Sequence, residues 1–297
     1  MTPPPMPRDP RLSAVGPNAE QIEYWNETSG PRWVAVQARL DAQISPFGLL
    51  AMEAARIRGG ERILDVGCGT GQSTLQLAER VGARGAVLGI DVSHVMLARA
   101  RERAAQGDFA QVRFTNADAQ THRFEPRAFD LVYSRFGVMF FADPRAAFSN
   151  LREALAPGGR LAFVCWQALE KNAWMRDPLD AIARHIALPP PPAPLAPGPF
   201  AFADAKRLRT LLAAAGFEHI AIEAVDRALH IAGGGPLGDA VTFLLEVGPA
   251  AAALREAGFE KRGSVAAALR EVLREHLTPS GVIMDAAAWI VSAERAA

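Results

Sequence analysis

A run of alternating glycines and two aspartates mark where this chain could meet a small polar ligand. Residues 63–71 read Ile-Leu-Asp-Val-Gly-Cys-Gly-Thr-Gly. Ile63, Leu64 and Val66 suit a buried parallel strand. Gly67, Gly69 and Gly71 lack a Cβ, so the chain can turn sharply and a ligand can approach the backbone. Asp65 places a carboxylate near the end of that strand, where it needs a donor or a cation. The next apolar run, 86–90, ends in Asp91. An acid at the tip of the second strand of a doubly wound sheet is placed to accept hydrogen bonds from ribose hydroxyls. The spacing is not that of a pyrophosphate turn. Gly-x-Gly-x-x-Gly would put its third glycine at 72, where Gln72 stands, and this disfavours a nicotinamide-dependent oxidoreductase.

Other chemistries find no support in the residues. The six histidines (His94, His122, His185, His219, His230 and His276) are scattered without ligand spacing, and no metal is expected. The two cysteines, Cys68 and Cys165, suggest neither a zinc site nor a disulfide. A reducing, cytoplasmic location fits that usage. With 32 basic and 32 acidic residues the formal charge is zero, so the whole chain carries no electrostatic footprint for nucleic acid. Arg99, Arg101 and Arg103 read as a solvated helix face. No apolar stretch is long enough to span a bilayer. Residues 1–17 read as a disordered tail, and its proline-rich start lacks the apolar core of a signal peptide.

The elements that must position the glycine turn and the acids follow from periodicity. Residues 18–58 show a helical pattern, interrupted at Gly30-Pro31, and read as lid helices over the pocket. Strands are expected near 61–66, 86–91, 111–115, 129–134 and 160–166, with helices near 70–81, 94–106 and 144–155. This alternation predicts an α/β fold, a doubly wound and mostly parallel sheet with helices on both faces. Its core spans 59–168. Asp65, Asp91 and Ser134 would share the carboxyl edge of the sheet, where such folds bind ligands. Residues 169–236 complete the core: a helix over 171–187, a proline tract at 189–199 read as a stiff connector, a helix over 204–215 and a strand over 218–225. Residues 237–280 carry helical patterns too long for a hairpin loop, and 281–297 hold the final strand, roughly 286–294. The insertion reads as a helical cap over an acceptor pocket, with a homodimer interface as the alternative.

Five ordered motifs resemble those of class I S-adenosylmethionine-dependent methyltransferases: Asp-Val-Gly-Cys-Gly-Thr-Gly (65–71), Gly-Ile-Asp-Val-Ser (89–93), Asn-Ala-Asp-Ala (116–119), Phe-Asp-Leu-Val-Tyr-Ser (129–134) and Leu-Ala-Pro-Gly-Gly-Arg-Leu (155–161). Within the family the likeness is to the branch containing ubiquinone and menaquinone C-methyltransferases. The resemblance implies a Rossmann-like, seven-stranded sheet, S-adenosyl-L-methionine as cofactor and a small-molecule acceptor. It implies a donor site residue by residue. Gly67, Cys68, Gly69 and Gly71 form the turn facing the methionine part and ribose. Asp65 meets the ammonium and Asp91 the ribose hydroxyls. Val92 and Met96 flank adenine, and Asp118 bonds its amino group, with Ala119 adding its backbone. Ser134 and Arg135 end the fourth strand beside the methyl, and Trp33 covers the donor. For the acceptor, Trp25, Phe136, Met139, Phe140, Trp166, Trp174 and Phe243 are candidate walls of an aromatic-lined cavity. No general base stands out. His185 and His230 lie outside every motif, so the catalytic residues stay unassigned. Ser-Arg-Phe-Gly follows the fourth strand where amide-nitrogen methyltransferases carry Asn/Asp-Pro-Pro-Tyr/Phe, which argues against DNA or protein-amide acceptors. The alternative function is a non-catalytic donor-binding scaffold or regulatory subunit; the intact glycines and both donor acids speak against it.

Overall fold

The computed structural model describes residues 11–190, 193 and 196–296. The start of the proposed tail (1–10) and part of the proline tract lie outside the described residues, while the Leu12 N–H donates to Asn116 Oδ1 at 2.9 Å. The chain opens with α1 (Ala19–Glu23), a π-turn over Tyr24–Thr28, α2 (Ser29–Ala35) and α3 (Gln37–Ala54). The helical pattern is interrupted before Gly30-Pro31, by the π-turn. Pro31 then sits in the first turn of α2, where a missing N–H costs nothing.

The core alternates β1 (Arg62–Val66), α4 (Gln72–Val81), β2 (Ala86–Asp91), α5 (His94–Ala105), β3 (Val112–Asn116), β4 (Phe129–Arg135), α6 (Pro144–Ala154) and β5 (Leu155–Trp166). After it come α7 (Ala173–Ile182), α8 (Ala205–Ala214), β6 (Phe217–His230), α9 (Leu237–Leu244), α10 (Pro249–Ala257), α11 (Arg262–Arg274), β7 (Leu277–Thr278) and β8 (Gly281–Arg295). The main sheet has the order β3-β2-β1-β4-β5-β8-β6, and β7 is a two-residue arm paired with β8. β1 to β5 run parallel; β8 runs antiparallel between β5 and β6. The central strands are apolar throughout because both faces are covered: Ile63, Leu64, Leu131, Val132 and Phe163 are fully buried. The order reverses between β1 and β4. The crevice outside their carboxyl ends is therefore where a ligand fits.

β6 and β8 run longer than the alternation suggested. They pair from Phe217↔Arg295 to His230↔Ile283, well beyond the end of β5. Each supplies the other's hydrogen bonds there, so strict alternation is not needed. The expected helix over 171–187 stops at Ile182. α9 to α11 fill the gap between β6 and β8, as helices expected in the insertion. None of their residues lines the pocket described below. α11 lies against α7 and α9, and α10 against α7. Polar contacts tie the group to the lid: Arg39 to Asp239 (3.0 Å), Arg32 to Glu246 (2.8 Å) and Arg255 to the Tyr24 hydroxyl (3.3 Å), while Arg262 holds Glu246 from within the group (3.0 Å). No single helix among the described residues is long and apolar enough to cross a membrane.

Candidate functional site

A cavity enclosing about 980 Å³, its open mouth included, lies at the carboxyl edge of β1, β2 and β4 under the lid helices. Its floor is the glycine turn. Gly67 and Gly69 have φ of +66° and +54°. A Cβ on Gly67 would lie 2.7 Å from the Gly137 Cα, and one on Gly69 2.9 Å from the Met96 Cε. The turn is pinned to β2, since Gly67 and Cys68 both donate to the Ile90 carbonyl (2.9 and 3.2 Å). Asp91 closes the arrangement. Its Oδ2 accepts from Gly69 N–H at 2.7 Å and its Oδ1 from Ser93 N–H at 2.8 Å. Burial pushes the Asp91 carboxyl up to about 6, against the pull of those N–H donors.

Asp118, from the loop after β3, sits at one end of the cavity. Its Oδ1 accepts from Asn18 Nδ2 (2.8 Å) and Gln120 N–H (2.9 Å), and its Oδ2 from the Thr121 hydroxyl (3.1 Å). Val92, Met96, Ala119 and Cys68 line the same cavity. Burial, with Asp91 and Asp65 nearby, raises the Cys68 thiol well above its ordinary range, which keeps it protonated and inert. The opposite wall is aromatic. Trp25 meets Trp33 (5.0 Å, 89°) and Phe140 (5.2 Å, 86°) edge to face. Phe136 also lines the cavity, with its backbone at φ +59°. That left-handed conformation is unfavourable for a bulky residue. It turns the chain so that Gly137 can press against Gly67.

Several residues expected at the cavity lie elsewhere. Asp65 is fully buried and does not line it. Its Oδ2 accepts from the Ser73 and Thr74 hydroxyls (2.7 and 2.6 Å), which ties β1 to the start of α4. Its Oδ1 is buried with no protein partner, and burial pushes the carboxyl up to about 6. Gly71 serves packing, because a Cβ there would lie 2.9 Å from the Ala100 Cβ on α5. Ser134 donates to the Val66 carbonyl (2.7 Å) and accepts from Gly137 N–H (3.2 Å), joining β4 to the end of β1 behind the wall. Met139, Trp166, Trp174 and Phe243 are buried away from the cavity. Trp166 stacks on the back of Phe136 (4.0 Å, 16°), and Trp174 packs on Trp166 (5.5 Å). Phe243, fully buried, belongs to the core of the insertion. Their aromatic character reflects core packing.

The sequence reading missed a polar group at the other end. Asp41 of α3 lines the cavity while almost fully buried. It accepts from Arg103 (2.9 Å), Arg135 (3.2 Å) and Gln37 Nε2 (2.5 Å). Arg135 also donates to Gln72. Arg103 thus does not belong to a solvated face; it also donates to the Thr70 carbonyl (2.9 Å), so it links the lid to the glycine turn. Asp41 lies beside Leu40 and near Ile44, both buried on α3. An acid on the apolar side of a lid helix was the one signal available. Asn18, Gln21, Leu40 and Ile44 of the N-terminal helical segment also line the cavity, beyond what was expected. No histidine is among the lining residues.

The architecture and the site together define a Rossmann-like methyltransferase fold. The chain can be superposed on the [4+2]-cyclase SpnF with a TM-score of 0.56 and 20% identity, over 97% of this chain and 99% of that one. This likeness concerns the fold. Residues 63–159 match the family model for the methyltransferase domain. The chain is 36% identical over 119 residues to the aklanonic acid methyltransferase DauC of Streptomyces sp. (strain C5), covering 40% of this chain and 54% of that protein. It is 31% identical over 195 residues to the 2-phytyl-1,4-naphtoquinone methyltransferase of Thermosynechococcus vestitus, covering 61% of this chain and 85% of that protein. The chain belongs to the class I S-adenosylmethionine-dependent methyltransferases, with distant homology to the ubiquinone and menaquinone C-methyltransferases. S-adenosyl-L-methionine is the methyl donor of that family. The match spans about half the length of most of the curated relatives, 54% of the Streptomyces protein and 56% of the demethylmenaquinone methyltransferase of Thermus thermophilus among them.

Proposed function

We propose that this chain transfers a methyl group from S-adenosyl-L-methionine to a small-molecule acceptor inside the cavity. The observation that carries this reading is the Asp91 carboxylate, fixed by Gly69 and Ser93 and facing the same cavity as the lid tryptophans. The residues fit the donor. Gly67 and Gly69 line the cavity with backbone alone. Asp91 retains lone pairs for two ribose hydroxyls. Asp118 keeps a lone pair for an adenine amino group.

When bound, the donor supplies an electrophilic methyl on a sulfonium. The chain's part is to orient the partners and to exclude water. Val92 and Met96 flank the base. Trp25, Trp33, Phe136, Phe140 and Phe141 give the acceptor an apolar, aromatic enclosure, suited to a lipophilic molecule. Arg135, held by Asp41 and Gln72, is the one cation lining it among the described residues. We assign 18–58 to a lid and 237–280 to a brace that holds the lid from outside.

Calorimetric titration with S-adenosylhomocysteine tests the donor site, with NAD as the control. Binding of the first without the second is expected; no binding of the first overturns the reading. Methyl-labelled donor with a panel of lipophilic small molecules then tests transfer. Donor binding without transfer to any of them would favour the non-catalytic scaffold.

A further inference from the structure

Asn18 and Gln21 both line the cavity from the first turn of the lid. Asn18 has used its amide: Nδ2 donates to Asp118 and Oδ1 accepts from Ala142 N–H at 2.7 Å. Gln21 follows one helical turn on, on the same face. Its Oε1 is buried and has no partner among the described residues. A buried amide oxygen without a donor is unfavourable, and Gln21 lines the cavity proposed to receive the donor. Its flanking residues locate it. Asn18 touches Asp118, and the Trp25 carbonyl accepts from Ser93 (2.8 Å), beside Asp91. Gln21 therefore stands between the two acids assigned to base and ribose.

Asp118 cannot satisfy an exocyclic amino group alone. Its Oδ1 already takes two donors and its Oδ2 one, leaving a single lone pair. The amino group of adenine carries two N–H donors. The geometry points to Gln21 as the second acceptor, a specificity-determining residue whose carboxamide reads the amino edge of the donor's adenine. Oε1 accepts from the amino group while Nε2 faces a neighbouring ring nitrogen, the bidentate match that glutamine makes with adenine. A residue of the lid then senses the base, so lid closure is coupled to a 6-aminopurine. This inference rests on the donor reading above.

The test is a coupling measurement by calorimetry on the full chain. Two ligands are used, S-adenosylhomocysteine and the analogue whose base is unsubstituted purine, with wild type and Gln21→Leu. Gln21→Leu is expected to weaken S-adenosylhomocysteine about tenfold and to weaken the purine analogue much less, so the two substitutions are not additive. Thermal melting checks that the variant is folded, and Gln21→Met replaces it if not. Unchanged affinity for S-adenosylhomocysteine, or equal weakening of both ligands, overturns the assignment while the donor reading stands. Failure of wild type to bind S-adenosylhomocysteine overturns both.

Discussion

The two ends of the cavity are built differently. The donor end is made largely of backbone: glycines at positive φ, strand tips, and carboxylates that bind N–H groups a few residues away, such as Asp91 with Ser93. The end we assign to the acceptor is made of side chains drawn together from Trp25 to Phe141 and held by contacts such as Asp41 to Arg135 across 94 positions. A site built from local backbone geometry leaves a compact signature in sequence. A site built from distant side chains leaves almost none. The insertion differs from both, since it touches the lid and not the cavity.

The largest expected effect separates the insertion from the site. Phe243→Ala removes a fully buried ring and should cost about 3–5 kcal/mol of stability, with donor affinity unchanged. Urea unfolding beside S-adenosylhomocysteine titration checks this. A parallel loss of donor affinity would place the insertion in the site and erase the contrast.

Next comes the donor end itself. Asp91→Ala should weaken S-adenosylhomocysteine by about 1.5–3 kcal/mol, the range for hydrogen bonds to a charged group. Unchanged affinity would show that the ribose lies elsewhere. The pH dependence sharpens the same point. Because burial holds the Asp91 carboxyl up to about 6, the free protein must give up a proton to present a carboxylate to the ribose. Donor affinity should therefore fall as pH drops below about 6, by up to about tenfold per unit, and level off above it. For folding alone the sign is opposite. The native state keeps a proton that the unfolded chain releases from 3.8 upward, so this group's contribution to stability declines as pH rises from 3.8 through about 6. A flat affinity profile between pH 5 and 7 would mean that Asp91 does not titrate at the site.

The smallest effect tests the brace. Glu246→Gln loosens partly exposed pairs with Arg32 and Arg262 and should cost at most about 1 kcal/mol. Hydrogen exchange should nevertheless quicken in α2 more than in α4. Equal exchange in both helices would detach the insertion from the lid.

Much of the fold was legible. The apolar runs at 61–66, 86–91 and 129–134 became β1, β2 and β4 within a residue or so, because strands buried on both faces carry an unbroken apolar signal. β6 and β8 were under-read in length, since their outer residues are held by each other and not by the core. Asp91, Val92, Met96 and Asp118, singled out through strand tips and short motifs, all line the cavity. Gly71 and Ser134 belong to the same motifs but do not line the cavity: Gly71 lets α4 and α5 approach, and Ser134 joins β4 to the end of β1. Trp166, Trp174 and Phe243 show why aromatic residues mislead. A large ring signals burial, and the linear order does not say on which side of the wall it is buried.

The sequence by itself determined the alternating strands and helices, the glycine turn and the two acids at its rim, because each depends on conformational preferences and hydrogen bonds within a short stretch of chain. Only the tertiary structure decided that Asp41 joins Arg103 and Arg135, that Gln21 Oε1 is buried without a partner among the described residues, and that the insertion contacts the N-terminal helices through Asp239, Glu246 and Arg255. Those outcomes depend on which side chains packing brings within about 3 Å of one another, and that distance has no counterpart in the spacing of residues along the chain.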